Sequence, residues 1–138
     1  GFTAAAGAVT AAGGAGANHP VFSKVRNNRH DEVEELLKNG MDPNVRDKFG
    51  NTILAVATQN NRKRIVKAAV RGGVPVDAQN GQGQTAMHFA YAYGYVELAD
   101  YLVHKGANPM LTNVHGLRPD EGLTPDRLVG AAAASAGT

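Results

Sequence analysis

Gly50, Gly83 and Gly116 are spaced 33 residues apart, and Gly40, Gly73 and Gly106 keep the same spacing at a fixed phase. Two glycine series locked together in this way leave few folds open. A period between about 20 and 50 residues marks a repeat array, in which each unit buries its apolar face only against its neighbours. Arrays of this kind work by presenting an extended surface. The functional question therefore starts with a binding face, ahead of an active site.

Aligned on that period, one unit reads DKFGNTILAVATQNNRKRIVKAAVRGGVPVDAQ (47–79). The next reads NGQGQTAMHFAYAYGYVELADYLVHKGANPMLT (80–112). Gly50 and Thr52 match Gly83 and Thr85, Ala57 matches Ala90, and Ile65 and Val66 match Leu98 and Ala99. Upstream, residues 19–46 carry the second half of the unit clearly and the first half loosely. Downstream, residues 113–128 carry only the first half.

Each full unit reads as a helical hairpin. Thr52 caps a first helix by accepting a bond from a free backbone N–H of its opening turn. Ile53, Leu54, Val56 and Ala57 supply its apolar side. Asn60 and Asn61 break the helix, since Asn favours turns. Ile65, Val66, Ala69 and Val70 then lie on one face of a second helix. Gly72 and Gly73 stop it, because glycine takes the left-handed conformation without a steric penalty, and Pro75 cannot continue it. Thr85, Met87, Ala90, Gly94, Leu98, Ala99, Leu102, Val103, Gly106 and Pro109 repeat the logic. Val33, Leu36, Leu37, Gly40 and Pro43 repeat its second half upstream.

These are the marks of the ankyrin repeat, about 33 residues of β-turn plus two helices. The family's Thr-Pro-Leu-His motif is matched by Thr85, Ala86, Met87 and His88, and more weakly by Thr52, Ile53, Leu54 and Ala55. Residues 106–109 (GANP) and 40–44 (GMDPN) are similar to its closing segment. The resemblance covers residues 19–128. It implies an all-α ankyrin-repeat helical solenoid with β-turn, hairpin-like connecting loops. The expected units are 19–46, 47–79 and 80–112, closed by a half-repeat at 113–128. The sequence departs from the pattern where Ile53 and Ala86 replace the motif proline, and only one unit keeps the histidine. Pro119 occupies the proline slot of the half-repeat, but Pro125 is expected to interrupt its first helix. The half-repeat is thus expected to cap one end. The polar first helix of the opening unit, with Lys24, Arg26, Asn27 and Asn28, is expected to cap the other.

The flanks read differently. Residues 1–18 are dominated by Ala and Gly, as are residues 129–138, and both are expected to be flexible. An opening Gly1 and a linker on each side suggest a domain of a larger polypeptide. The formal charge of +2 does not call for nucleic acid or an acidic membrane. The absence of cysteine excludes disulfides and thiolate metal sites. No apolar run approaches the roughly 18 residues of a membrane-spanning helix.

No catalytic constellation emerges. Ser23 and Ser135 sit in no nucleophile elbow. The turn Gly81-Gln82-Gly83-Gln84 lacks the lysine of a phosphate loop and reads as a repeat-joining β-turn. His19, His30, His88, His104 and His115 are not paired at metal-ligand spacing. The resemblance gives His88 a structural role, bonding within its motif and to the adjacent loop. No cofactor, metal or small-molecule ligand is expected. Arg62, Lys63, Arg64, Lys67 and Arg71 cluster on the second helix of the 47–79 unit. They read first as a solvated helix face and second as a site for an acidic protein. Nucleic acid is a lesser reading because no aromatic residues interleave the charges. In FAYAYGY, Phe89, Tyr91, Tyr93 and Tyr95 alternate like a strand, but Thr85 and Gly94 frame the segment as a helix. At least two of the four are expected to be packed between units.

Ankyrin repeats bind through their turn tips and the inner face of their first helices. The resemblance places such contacts at Arg46, Lys48, Phe49, Asn51, Gln59 and Asn60 in the second unit. In the third they fall at Gln79, Gln82, Gln84, Ala92 and Tyr93, and in the half-unit at Thr112, His115 and Leu117. Thr52, Thr85, His88 and both glycine series are the structural motif. The expected function is a non-catalytic protein–protein interaction module, a scaffold or adaptor whose protein or peptide partner carries an acidic portion. The alternatives are a component of a large cytoskeletal or ciliary assembly, or a regulatory domain of a larger enzyme. The expected location is intracellular and cytoplasmic, with cytoskeletal, ciliary or nuclear sites as alternatives. Asn44 falls where some ankyrin proteins present an asparagine for hydroxylation.

Overall fold

The computed structural model describes residues 19–125. The readings made for residues 1–18 and 126–138 lie outside the described residues. Among the described residues, six α-helices follow one another: α1 Val21–Arg26, α2 His30–Lys38, α3 Ile53–Gln59, α4 Lys63–Arg71, α5 Ala86–Ala92 and α6 Val96–His104. A 3-10 helix, Pro119–Glu121, follows them, and no strand occurs among the described residues. The helices pair as hairpins, α1 with α2, α3 with α4 and α5 with α6. The first helices stack in series, α1 on α3 on α5 on the 3-10 helix, while α2 packs on α4 behind them.

Local chemistry sets the boundaries. Thr52 Oγ1 accepts from Ala55 N at 3.2 Å, and Thr85 Oγ1 accepts from His88 N at 3.3 Å. Each inner helix is followed by a single left-handed residue at one register, Asn28 (φ 57), Asn61 (φ 54) and Gly94 (φ 71). Asn is among the few side chains that tolerate this conformation. The outer helices end on the series Gly40, Gly73 and Gly106, with φ between 94 and 96. There Met41 N bonds Leu36 O at 3.0 Å, Val74 N bonds Ala69 O at 3.0 Å and Ala107 N bonds Leu102 O at 2.9 Å. This is a Schellman stop, which uses a left-handed residue to satisfy the last free carbonyls of a helix.

A single core runs through the stack, from Val21, Phe22, Val25 and Val33 to Leu98, Leu102 and Ala107. Helix α3 is buried along its whole length from Ile53 to Thr58. That exceeds a one-sided stripe, and it follows from packing on α1, α4 and α5 together. The opening unit corrects the expectation of a polar helix. Helix α1 buries Val21, Phe22 and Val25, while Asn27 and Asn28 belong to the turn after it. Only its outward side is polar. In the closing unit the first helix is cut to the single 3-10 turn. Pro119 is buried there, and Gly122 (φ 118) ends it ahead of Pro125.

Candidate partner-binding face

Three fingers project between the hairpins, each a tight turn closed by the same two backbone bonds. Asp47 N donates to Asn51 O at 3.0 Å and Gly50 N to Asp47 O at 2.9 Å. Asn80, Gln84 and Gly83 repeat this at 2.9 and 2.9 Å, as do Asn113, Leu117 and Gly116. A side-chain oxygen locks each turn from inside. Asp47 Oδ1 accepts from Phe49 N and Asn51 N, both at 2.9 Å. Asn80 Oδ1 accepts from Gln82 N and Gln84 N, and Asn113 Oδ1 from His115 N and Leu117 N, at 2.9–3.1 Å.

The fingers are then joined edge to edge. Gly81 N donates to Phe49 O and Val114 N to Gln82 O, each at 3.0 Å. Asn80 Nδ2 donates to Asn51 Oδ1 at 2.8 Å, and Asn113 Nδ2 to Gln84 Oε1 at 3.1 Å. Arg46 Nη1 reaches Gly50 O and, one unit on, Gln79 O at 3.1 and 2.9 Å. Gln79 Nε2 makes the same pair of bonds to Gly83 O and Thr112 O at 3.0 and 2.9 Å. The close approach explains two of the first glycine series, Gly50 and Gly83. A Cβ on Gly83 would lie 2.8 Å from Val114 N, and one on Gly50 would lie 2.9 Å from Gly81 N.

This ladder redistributes the expected contact residues. Asn51 and Gln84 are buried, at 4% and 6% exposure, and cannot meet a partner. Their side chains tie finger to finger, and Gln84 Nε2 also donates to Leu123 O at 2.9 Å. Arg46 is half-buried and bound to carbonyls, and burial pushes its guanidinium below the ordinary value. Gln79 is exposed but its amide belongs to the ladder. Gln59, Asn60, Ala92 and Leu117 are half-buried, and Asn60 Nδ2 is held by Val56 O at 2.8 Å. Lys48, Phe49, Gln82, Tyr93, Thr112 and His115 are exposed. Phe49 and Lys48 form one unit, with the ammonium 5.2 Å from the ring centre. Tyr93 stacks on Phe89 at 6.4 Å and meets Tyr95 at 5.8 Å. Phe89 is buried and Tyr95 half-buried, so two of the four aromatics pack as expected while Tyr91 and Tyr93 face outward.

His88 is fully buried. Nδ1 lies 3.1 Å from Thr85 N and 2.9 Å from Thr85 Oγ1, and Nε2 lies 2.9 Å from Leu117 O. A carbonyl can only accept, so Nε2 carries the proton and Nδ1 accepts. Burial pushes the imidazole below its ordinary value, and the bond to Leu117 works the other way more weakly. The ring thus pins the third finger to α5.

The basic cluster turns out to bridge units. Arg64 Nε bonds Glu34 Oε2 on α2 at 2.8 Å, and Lys63 pairs with Glu97 on α6. Lys67 lies 5.8 Å from the ring centre of Tyr101, which Lys105 approaches from its own helix. Arg62 donates to the Arg26 carbonyl.

What the sequence reading missed is the locking series Asp47, Asn80 and Asn113. The signal was available, since these residues keep the 33-residue spacing and precede each finger glycine by three. The family described as ankyrin repeats (3 copies) matches residues 22–113. The chain belongs to the ankyrin repeat family. Ankyrin repeats are a non-catalytic fold for protein–protein interaction. Over 89 residues, 64% of its length, the chain is 38% identical to glycerophosphocholine phosphodiesterase gde1 of Schizosaccharomyces pombe, covering 8% of that protein. It is 34% identical over 88 residues, 61% of its length, to palmitoyltransferase AKR1 of Lachancea kluyveri, covering 12% of it. It is 33% identical over 95 residues, 64% of its length, to NF-kappa-B inhibitor alpha of Mus musculus, covering 30% of it. The chain thus spans less than a third of each of these relatives. No helix among the described residues is long and apolar enough to cross a membrane, and none of their His, Asp and Glu side chains group as a metal site.

Proposed function

We propose that this ankyrin domain is an interaction module that meets a protein or peptide partner with its finger tips and the far ends of its inner helices. One observation carries the reading. The finger backbone is satisfied by its own ladder, yet large apolar side chains stand out beside it, Phe49 at 61% and Tyr93 at 45% exposure, with Val114 exposed on the third finger. Phe49 sits at a finger tip and Tyr93 caps the other end of an inner helix. A seven-residue helix separates these two levels by about 10 Å. Tyr and Phe anchor interfaces because they bring large contact area with few rotatable bonds. Lys48, Gln82, Thr112 and His115 supply exposed hydrogen-bonding groups along the fingers.

A second reading, assembly through the end of the stack, has its own support. Tyr91, Val103 and Met110 of the third unit are exposed. One unit earlier the registers of Tyr91 and Val103 hold Thr58, which is fully buried, and Val70, which is half-buried. The end of the array thus shows apolar side chains that a further layer would cover. Regulation of an attached enzyme remains a third reading, since two relatives are named for enzymatic activities.

Affinity capture from the source cells, with wild-type domain beside a Phe49→Ala/Tyr93→Ala double variant, separates them. A partner retained by wild type and lost by the variant supports the finger-tip reading. A large assembly captured equally by both would refute it in favour of the end of the stack. Neither side chain is in the core, so the variant should melt with the wild type.

A further inference from the structure

The three finger tips are not equivalent. At matching positions they carry Lys48 and Phe49, Gly81 and Gln82, and Val114 and His115. Only the first has a fixed cation, and only the first opens on a groove shared with α1. That groove has a volume of about 510 Å³ and runs between Pro20, Phe22, Arg26, Lys48 and Phe49. Pro20, Phe22 and Phe49 give it apolar surface and Arg26 and Lys48 give it positive charge, beside His19, Ser23 and Asp47.

The one carboxylate of the lining is buried and paired with Arg26, which leaves Lys48 as the groove's cation without a carboxylate partner among the described residues. Asp47 is 3% exposed. Its Oδ1 accepts from Phe49 N and Asn51 N, and its Oδ2 takes Asn51 Nδ2 at 3.4 Å. Arg26 Nη2 forms an ion pair with the same oxygen at 3.7 Å, which leaves its other N–H groups for a further acceptor. Lys48 contacts the Phe49 ring and pairs with no carboxylate among the described residues. The outer-helix cations differ, because Lys63 and Arg64 already face Glu97 and Glu34.

We infer that this groove receives an acidic, extended segment of a protein partner, with carboxylates on Lys48 and Arg26 and an apolar side chain between them against Phe49. The inference rests on the finger-tip reading above and gives it a direction. The acidic end of the partner lies at the first finger, and its less charged remainder runs toward Gln82 and Tyr93. Charge complementarity of this kind sets register and speeds encounter.

The test is titration of the isotope-labelled domain by NMR at low salt. The probe is an acetylated heptapeptide, Glu-Asp-Leu-Glu-Asp-Leu-Glu, set against its neutral twin Gln-Asn-Leu-Gln-Asn-Leu-Gln. The amides of Arg26, Lys48 and Phe49 should move and saturate with the acidic peptide and stay still with the twin. Lys48→Glu should weaken the acidic peptide by about threefold or more, the scale of an exposed charge pair, with an unchanged melt. Equal shifts from both peptides, or no shifts at all, would overturn the inference. So would shifts centred on Arg62, Lys67 and Arg71. Tighter binding of a 12-nucleotide oligothymidine at the same amides would overturn it in favour of nucleic acid. Loss of the captured partner by Phe49→Ala/Tyr93→Ala together with failure of the acidic peptide would leave the finger-tip reading standing and remove the acidic one.

Discussion

The finger side and the outer-helix side of this solenoid each bridge successive units, but they do so with opposite materials. The fingers are joined by short amide and carbonyl groups at half-buried or buried positions, Asn51 with Asn80 and Gln84 with Asn113. The outer helices are bridged by long charged side chains in solvent, Arg64 with Glu34 and Lys63 with Glu97. Buried amide groups cannot be left unpaired. Exposed ion pairs order two long chains in water and are screened by salt. The fingers therefore hold the register of the array by polar bonds, whereas the outer helices must be held by what they bury.

The largest expected effect tests that last statement. Leu102 lies on α6, is fully buried and belongs to the continuous core. Leu102→Ala should destabilise the domain by about 2–5 kcal/mol, through lost transfer energy and the cavity left behind. A melt unchanged by this substitution would mean that α6 is not anchored by its apolar face.

Next come the finger glycines, where one substitution at two sites separates two causes. Gly83 (φ 75) and Gly116 (φ 76) have the same backbone conformation, yet a Cβ on Gly83 meets the next finger and one on Gly116 meets nothing within 4 Å. Gly116→Ala should therefore cost only the left-handed strain, about 1–2 kcal/mol. Gly83→Ala should add the cost of prising two fingers apart, reaching about 2–4 kcal/mol in total. Equal losses in chemical denaturation would mean that the ladder gives way freely and that the fingers are less rigid than their bonds imply.

The repeat units, helix order, caps and glycine stops were legible in the sequence because each follows from local chemistry recurring at one period. Thr52, Asn61 and Gly73 act within a few residues of their own position. The polar half of the binding face was less legible. Asn51, Gln84 and Arg46 look like free surface residues in a linear reading, since nothing local shows that a carbonyl or amide 29 to 33 residues away closes their bonds. Phe49 and Tyr93 were placed on the surface by alignment alone, and both are exposed.

A smaller effect, on pH, probes the join between helix and finger. His88 is buried neutral, with Nδ1 accepting from Thr85 and Nε2 donating to Leu117. Its folded value lies below the ordinary 6.5, chiefly through burial. As pH falls through the ordinary value, the unfolded chain takes up a proton that the folded chain refuses. The stability due to His88 is thus complete above that value and declines below it, at a slope of at most about 1.4 kcal/mol per pH unit. The measurement is denaturant unfolding between neutral and mildly acidic pH, with His88→Gln as control. The variant should be less stable at neutral pH and lose this part of the slope. An identical slope in both would assign the acid sensitivity elsewhere.

The smallest effect belongs to the pair that looks most conspicuous on the outer side. Lys63 and Glu97 link α4 to α6, and Lys63 holds the Glu97 carboxyl below the usual carboxylate range. Both side chains are more than half exposed, so water competes for each charge and the Coulomb attraction is weak. Glu97→Gln should leave the melting temperature almost unchanged at ordinary salt. Any small loss should vanish near 1 M salt, where the screening length is about 3 Å. Asn80→Ala, run beside it, removes the side-chain oxygen that locks one finger and the amide that joins it to the previous one. That loss should persist in salt, because neither bond depends on a net charge. A salt-sensitive drop for Glu97→Gln that exceeded the loss for Asn80→Ala would reverse the assignment, placing the register of the array in its charges instead of its fingers.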